Sequence, residues 1–250
     1  MDDWFRPDLS DVLDACERGI AEAEALATQA HAPTGPDALT ETELHRVLAD
    51  GLTNAGIPVV REVRFPADPG GTVHPRDRER CDLVALPTGA AAVFDPVIER
   101  AEREAGLDTL FEDRVDSIAS VARPPDVCDP SDAAWVEVKS TGTFVYRDGV
   151  PTPNRSYTDE LIRGALADGI KLADAPGLGE RAVLLVVFTC DEDAIRRDLI
   201  TVAHRLLDHG IETRTPIVRS VPISDRAGNT HGVLGLFDVL ATSKPSNEVR

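Results

Sequence analysis

Between residues 135 and 139 the chain reads Trp-Val-Glu-Val-Lys, and no other stretch limits its fold as tightly. Valine and tryptophan favour a pleated strand. Residues two apart on a strand share a face, so Glu137 and Lys139 point one way while Val136 and Val138 point the other. An acid and a base set into an apolar strand need partners or a metal, because an unpaired buried charge is strongly unfavourable. A second strand at 81–86 (Cys-Asp-Leu-Val-Ala-Leu) sets another acid, Asp82, between apolar neighbours.

The surrounding pattern supplies a sheet and helices to hold these strands. Residues 9–30, rich in Ala, Glu and Leu, predict a helix that breaks at the Pro-Thr-Gly-Pro of 33–36. Thr40 and Glu43 form a capping-box pattern, and Leu44, Val47, Leu48, Leu52 and Ala55 give one apolar stripe that ends at Gly56. Strands are expected at 58–65, 81–86 and 135–139, with 143–146 continuing the sheet after a turn at Gly142. A loop rich in Pro, Gly and charge occupies 67–80. A short helix is expected at 96–105, behind Asp95 and Pro96, followed by a Pro-rich loop at 123–130. Residues 148–156 are turn-rich. A helix at 158–173, a buried strand at 182–189, a helix at 191–209 and two late strands at 214–222 and 232–239 complete the order. The fold class is α/β with a mixed sheet flanked by helices. The whole of 1–250 is read as a single domain, with 1–36 as a helical extension, 87–132 as an insertion and 243–250 as a flexible tail.

Asp82, Glu137 and Lys139 suit the hydrolysis of a phosphodiester, which needs charge neutralisation at the phosphate and an activated water. Mg²⁺ takes oxygen ligands and keeps waters and substrate in its remaining positions, so two carboxylates suffice. Lysine beside them can hold the water or stabilise charge on the phosphate. Of the two glutamates opening the second helix, Glu41 lies three before Leu44 and seven before Leu48 and so continues the apolar face. Glu43 is accounted for by the capping box.

With Asp82 in Arg80-Cys81-Asp82-Leu83-Val84, with Glu137-Val138-Lys139-Ser140, and with a glutamate on the leading helix in Thr40-Glu41-Thr42-Glu43-Leu44, residues 40–190 resemble the PD-(D/E)XK nuclease superfamily. The resemblance implies a restriction-endonuclease-like core. It also implies DNA as substrate, Mg²⁺ (Mn²⁺ as substitute) on Asp82 and Glu137, Glu41 as a third or outer ligand, and Lys139 at the attacking water. The chain departs from that pattern in two ways. Cys81 stands where the motif has proline, and several tens of residues separate Asp82 from Glu137, where the family has a short hairpin.

Phosphate contacts are expected from Arg78 and Arg80, in a locally basic run leading to Asp82, and from Arg163, Lys171 and Tyr157 on the helix after the Glu-Val-Lys strand. Arg147 and Arg155 are further candidates. Plainer roles also fit: a surface ion pair for Glu137 and Lys139, and a helical pair for Asp168 and Lys171.

Composition sets outer limits. The chain has 250 residues, 42% of them apolar, enough for one sizeable core. Its net charge of −18 disfavours a simple nucleic-acid binder. That charge motivates a second expectation: a nuclease-fold interaction module that works with a protein partner. Cutting both strands of a duplex would favour a homodimer. Among 26 basic residues only Lys139, Lys171 and Lys244 are lysines. Cys16, Cys81, Cys128 and Cys190 show no CxxC spacing, so neither a zinc site nor disulfides are expected. No histidine is assigned to a metal. The start, Met1-Asp2-Asp3, lacks signal-peptide character, and no apolar run reaches membrane length, so a cytoplasmic protein without a membrane partner is expected.

Overall fold

The computed structural model describes residues 6–66, 79–94, 124–147 and 149–241. Two helices come first, α1 (Leu9–Gln29) and α2 (Glu41–Asn54), ahead of strands β1 (Val59–Arg64) and β2 (Arg80–Ala85). Two short strands follow, β3 (Ala92–Val93) and β4 (Val127–Cys128), then β5 (Ala134–Gly142), β6 (Phe144–Arg147) and β7 (Val150–Pro153). Helix α3 (Tyr157–Asp174), strand β8 (Glu180–Thr189), helix α4 (Glu192–Asp208) and strands β9 (Ile217–Pro222) and β10 (His231–Asp238) complete the order.

Six strands form a mixed sheet in the order β1-β2-β5-β8-β10-β9. Strands β1, β2 and β5 run as an antiparallel meander. Helix α3 then carries the chain across so that β8 lies parallel to β5, from Ala134↔Glu180 to Gly142↔Phe188. The late strands add antiparallel pairings at the far side.

Alternation along the central strands builds two cores. Val136, Val138, Leu184, Val186 and Leu234 face Leu13, Cys16, Ile20, Leu44, Leu48 and Leu52 of α1 and α2. Trp135, Val183, Leu185, Val187 and Phe237 face Leu161, Leu172, Ile195, Leu199 and Leu206 of α3 and α4. Each such side chain contributes about 1.5–3 kcal/mol through burial. Helix α1, read from sequence as an extension, therefore carries a full share of one core. It crosses α2 at paired glycines: a Cβ on Gly19 would stand 2.6 Å from the Val47 carbonyl oxygen, and one on Gly51 2.5 Å from that of Ala15. Both obstacles are backbone, so only glycine allows this approach.

The stretch 143–146 does not continue the main sheet. Strand β6 leaves it and pairs with β7 as a separate ribbon, from Phe144↔Pro153 to Arg147↔Val150. The buried Asn229 side chain imitates a neighbouring strand. Its Oδ1 accepts from Phe144 N at 3.2 Å and its Nδ2 donates to Phe144 O at 3.1 Å. This satisfies a backbone that would otherwise seek the sheet. At the two ends of the expected insertion, β3 and β4 pair in parallel. The expected helix at 96–105, residues 67–78 with Arg78, and the tail at 243–250 lie outside the described residues. Among the described residues, no helix is long and apolar enough to cross a membrane.

Candidate functional site

Asp82 and Glu137 come to facing positions where β2 and β5 stop pairing. The register runs Ala85↔Ala134, Val84↔Trp135, Leu83↔Val136 and then ends. The next step would set Asp82 opposite Glu137. There the Asp82 carboxylate replaces the ladder, Oδ2 accepting from Val138 N at 2.8 Å. One side chain thus satisfies a central-strand amide and keeps a carboxylate at the fork between two strands.

Glu137 is 1% exposed, facing α3. Its Oε1 accepts from Lys171 Nζ at 2.9 Å. Burial pushes its carboxyl up to about 9, the negative charges of Asp82 and Asp168 push the same way, and Lys171 opposes them only in part. Lys171 is held above the ordinary ammonium range: burial works against its charge, but Glu137 and Asp168 outweigh burial. Its ammonium also stands 5.9 Å from the centroid of Phe65, which stacks on Trp135.

Lys139 shares Glu137's face. Its Nζ donates to Glu41 Oε1 at 2.8 Å and lies 3.6 Å from Asp168 Oδ2. Burial favours its neutral form, yet the Glu41 hydrogen bond and the Asp168 charge hold its pKa above the usual range. Asp168, 3% exposed, also pairs with Lys171 at 3.3 Å, the helical pairing its spacing suggests. Burial raises the Asp168 carboxyl against the two lysines. A chain of alternating charge results: Glu41, Lys139, Asp168, Lys171, Glu137. Two of the protein's three lysines sit in it, which is where a compact ammonium on a flexible stem serves better than a planar guanidinium.

The Lys139 stem needs room to reach that position. Gly164 of α3 supplies it, since a Cβ there would meet Lys139 Cγ and Cδ at 3.3 Å. A cavity of about 250 Å³ opens beside this stem, lined by Glu41, Lys139, Thr141, Glu160 and Gly164 among others.

Other expected residues have different partners. Glu43 closes the capping box, with Thr40 N donating to its Oε2 at 2.9 Å. Tyr157 donates to Asp198 Oδ2 of α4 at 2.9 Å. Arg163 pairs with Asp159 on an exposed helical turn, and Arg80 reaches the Glu62 carbonyl at 3.4 Å. Arg147 and Arg155 are exposed.

The carboxylates nearest Asp82 were not all legible in the sequence. Among the described residues, the three side chains whose ligand atoms lie within 4.8 Å of one another are His45, Glu62 and Asp82. Glu41 and Glu137 are not in that group. His45 lies four residues after Glu41 on the same helical face, a spacing that signals its direction. Glu62 is reached only through the β1–β2 register. The donor set, one imidazole nitrogen and two carboxylates within 4.8 Å of one another, fits a divalent cation.

No protein-family model matches the chain, and no curated protein matches it in sequence.

Proposed function

We propose that this chain is a divalent-metal-dependent phosphodiesterase that cleaves DNA, with Asp82 and Glu137 holding Mg²⁺ or Mn²⁺ and Lys139 facing the phosphate. The observation that carries the reading is the fork itself. Asp82 and Glu137 lie at facing positions where the β2–β5 ladder ends, and Lys139 shares Glu137's side of the strand. The element run α2, β1, β2, β5, α3, β8 gives it further support, with an antiparallel meander, a helix, and a fourth strand parallel to the third. That run lies within the 40–190 span over which the sequence resembles PD-(D/E)XK nucleases.

A bound cation would neutralise phosphate charge and lower the pKa of its water. The protein's own groups divide the remaining work. Asp82 and Glu137 would supply oxygen ligands from two neighbouring strands, Glu137 giving up its proton to the cation. Lys139, kept protonated by Glu41 and Asp168, stabilises charge developing on the phosphate. Protonated in this way, it is a poor proton acceptor. Asp168 holds both lysines from α3 and so fixes their spacing.

The test is cleavage of plasmid and single-stranded DNA with Mg²⁺ or Mn²⁺ over a range of salt. Glu137→Gln and Lys139→Ala are expected to lower the rate on the order of 10²–10⁴-fold. A wild type that cuts nothing, or variants that cut equally well, would end the proposal.

A second reading rests on the Glu137–Lys171 contact at 2.9 Å. Lys171 already occupies a Glu137 oxygen, which suits a non-cleaving module that meets nucleic acid through a basic partner or a second copy of the chain. Titration calorimetry separates the two readings: such a module shows no cation binding that depends on Asp82 and Glu137.

A further inference from the structure

A cluster that shares Asp82 with the fork but does not include Glu137 has the makings of a cation site in its own right. His45 of α2, Glu62 of β1 and Asp82 of β2 bring one nitrogen and two carboxylates within 4.8 Å of one another. His45 Nδ1 lies 3.9 Å from Asp82 Oδ1, the oxygen left over when Oδ2 accepts from Val138. Donors on one cation at about 2.0–2.2 Å stand up to roughly 4.4 Å apart, so closing on an ion needs only small rotamer movements.

Two further observations separate this cluster from an ordinary group of surface acids. The His45 side chain is 7% exposed, and its Nε2 is buried with no hydrogen-bond partner. A buried imidazole nitrogen without a partner is uncommon and unfavourable. Glu62 has φ 56° in the middle of a strand. The register is unbroken around it, Arg61↔Leu83 on one side and Val63↔Cys81 on the other, so no residue has been inserted. A non-glycine residue in the left-handed region is disfavoured and marks a local demand on the side chain's direction. Here that side chain joins His45 and Asp82.

We propose that His45, Glu62 and Asp82 form a three-ligand site for a borderline divalent transition cation, Mn²⁺ or Zn²⁺ in class, and that Mg²⁺ is a weak occupant. An imidazole nitrogen suits these ions, whereas Mg²⁺ prefers all-oxygen surroundings. Three protein ligands leave coordination positions for water or a phosphate oxygen. Glu62 is exposed, which keeps that side open to solution. The site shares Asp82 with the proposed phosphodiesterase centre and rests on that reading only for the meaning of a bound phosphate.

The experiment is titration calorimetry of Mn²⁺, Zn²⁺ and Mg²⁺ into the full chain and into Glu62→Gln, His45→Gln and Glu137→Gln. Mn²⁺ and Zn²⁺ are expected to bind at least tenfold more tightly than Mg²⁺, and Glu62→Gln and His45→Gln are each expected to weaken Mn²⁺ at least tenfold. Glu62 is exposed on an edge strand, so its variant tests the site even if the buried His45 variant misfolds. Mn²⁺ binding that depends on Glu137 and ignores Glu62 overturns the proposal and leaves the phosphodiesterase reading standing. Equal Mg²⁺ and Mn²⁺ affinity, or no binding of Mn²⁺ or Zn²⁺, overturns it too. Ligand dependence as expected in a protein that cuts no DNA upholds this site while ending the cleavage reading.

Discussion

Two glutamates are buried among the described residues, and they are treated in opposite ways. Glu24 of α1 is 8% exposed and Glu137 of β5 is 1% exposed. Glu24 Oε1 accepts from Thr28 Oγ1, Ser224 N, Ser224 Oγ and Arg226 Nη2 at 2.7–3.1 Å, while Oε2 accepts from Arg226 Nη1 at 2.7 Å. Burial alone would raise the Glu24 carboxyl, but Arg226, Ser224 and Thr28 outweigh it and hold it at about 2. Glu137 has Lys171 as its hydrogen-bond donor and two acids for neighbours, and it is pushed up to about 9. A fully satisfied charge ties α1 to the turn before β10 and has nothing left to bind. A carboxyl with so few donors keeps its proton, and groups shifted this far are commoner at functional sites than elsewhere.

The largest effect that would break this contrast is on stability. Glu24→Ala leaves the half-buried Arg226 with Thr28 Oγ1 as its remaining acceptor, and losing charge-assisted hydrogen bonds of this kind costs about 1.5–3 kcal/mol. Urea unfolding should show that loss; a midpoint that hardly moves would mean that Glu24 is not structural.

The opposite sign is expected at the other glutamate. Glu137 holds its proton more tightly in the folded state than the unfolded value of 4.5 allows, so ionising it between pH 4.5 and about 9 works against folding. Glu137→Gln removes that penalty. The variant should gain on wild type as pH rises through this window, by at least ~1 kcal/mol at pH 8. Glu24 behaves inversely: its contribution is present above pH 4.5 and fades as pH falls toward about 2. Unfolding midpoints against pH check both, and a Glu137→Gln advantage that shrinks with rising pH would contradict the account of Glu137.

The smallest effect concerns the lysine. Gly164→Ala should add about 1 kcal/mol of helix stability while its methyl crowds the Lys139 stem at 3.3 Å. A raised melting temperature with cleavage lowered roughly tenfold is expected. A variant that is both more stable and equally active would show that Lys139 does not depend on this groove.

Much of the site could be read before any fold was known, because it follows from local periodicity. The two-residue strand repeat sets Glu137 with Lys139 and separates them from Val136 and Val138. The helical repeat and the capping box separate Glu41, which reaches Lys139, from Glu43, which reaches Thr40. The Asp168–Lys171 pairing follows from three-residue spacing. What stayed hidden were several of the contacts made across elements. Lys171 is expected from sequence to face phosphate, yet it lies on Glu137. His45 looks like one more residue beside an apolar stripe. Residues 143–146 read as sheet, but a distant amide at Asn229 draws them away.

The sequence by itself determined which side of each element carries charge, because backbone geometry fixes side-chain direction within a strand or helix. Only the tertiary structure decided which charges meet. The register of β1 on β2 puts Glu62 beside Asp82, the early end of the β2–β5 ladder frees Asp82 to bind the Val138 amide, and the seating of α3 on the sheet brings Asp168 and Lys171 to Glu137 and Lys139. Those alignments are set by packing over two cores on opposite faces of one sheet. No local pattern encodes them, since a shift of one residue in register would leave each segment's own periodicity unchanged while turning its charges to the other face.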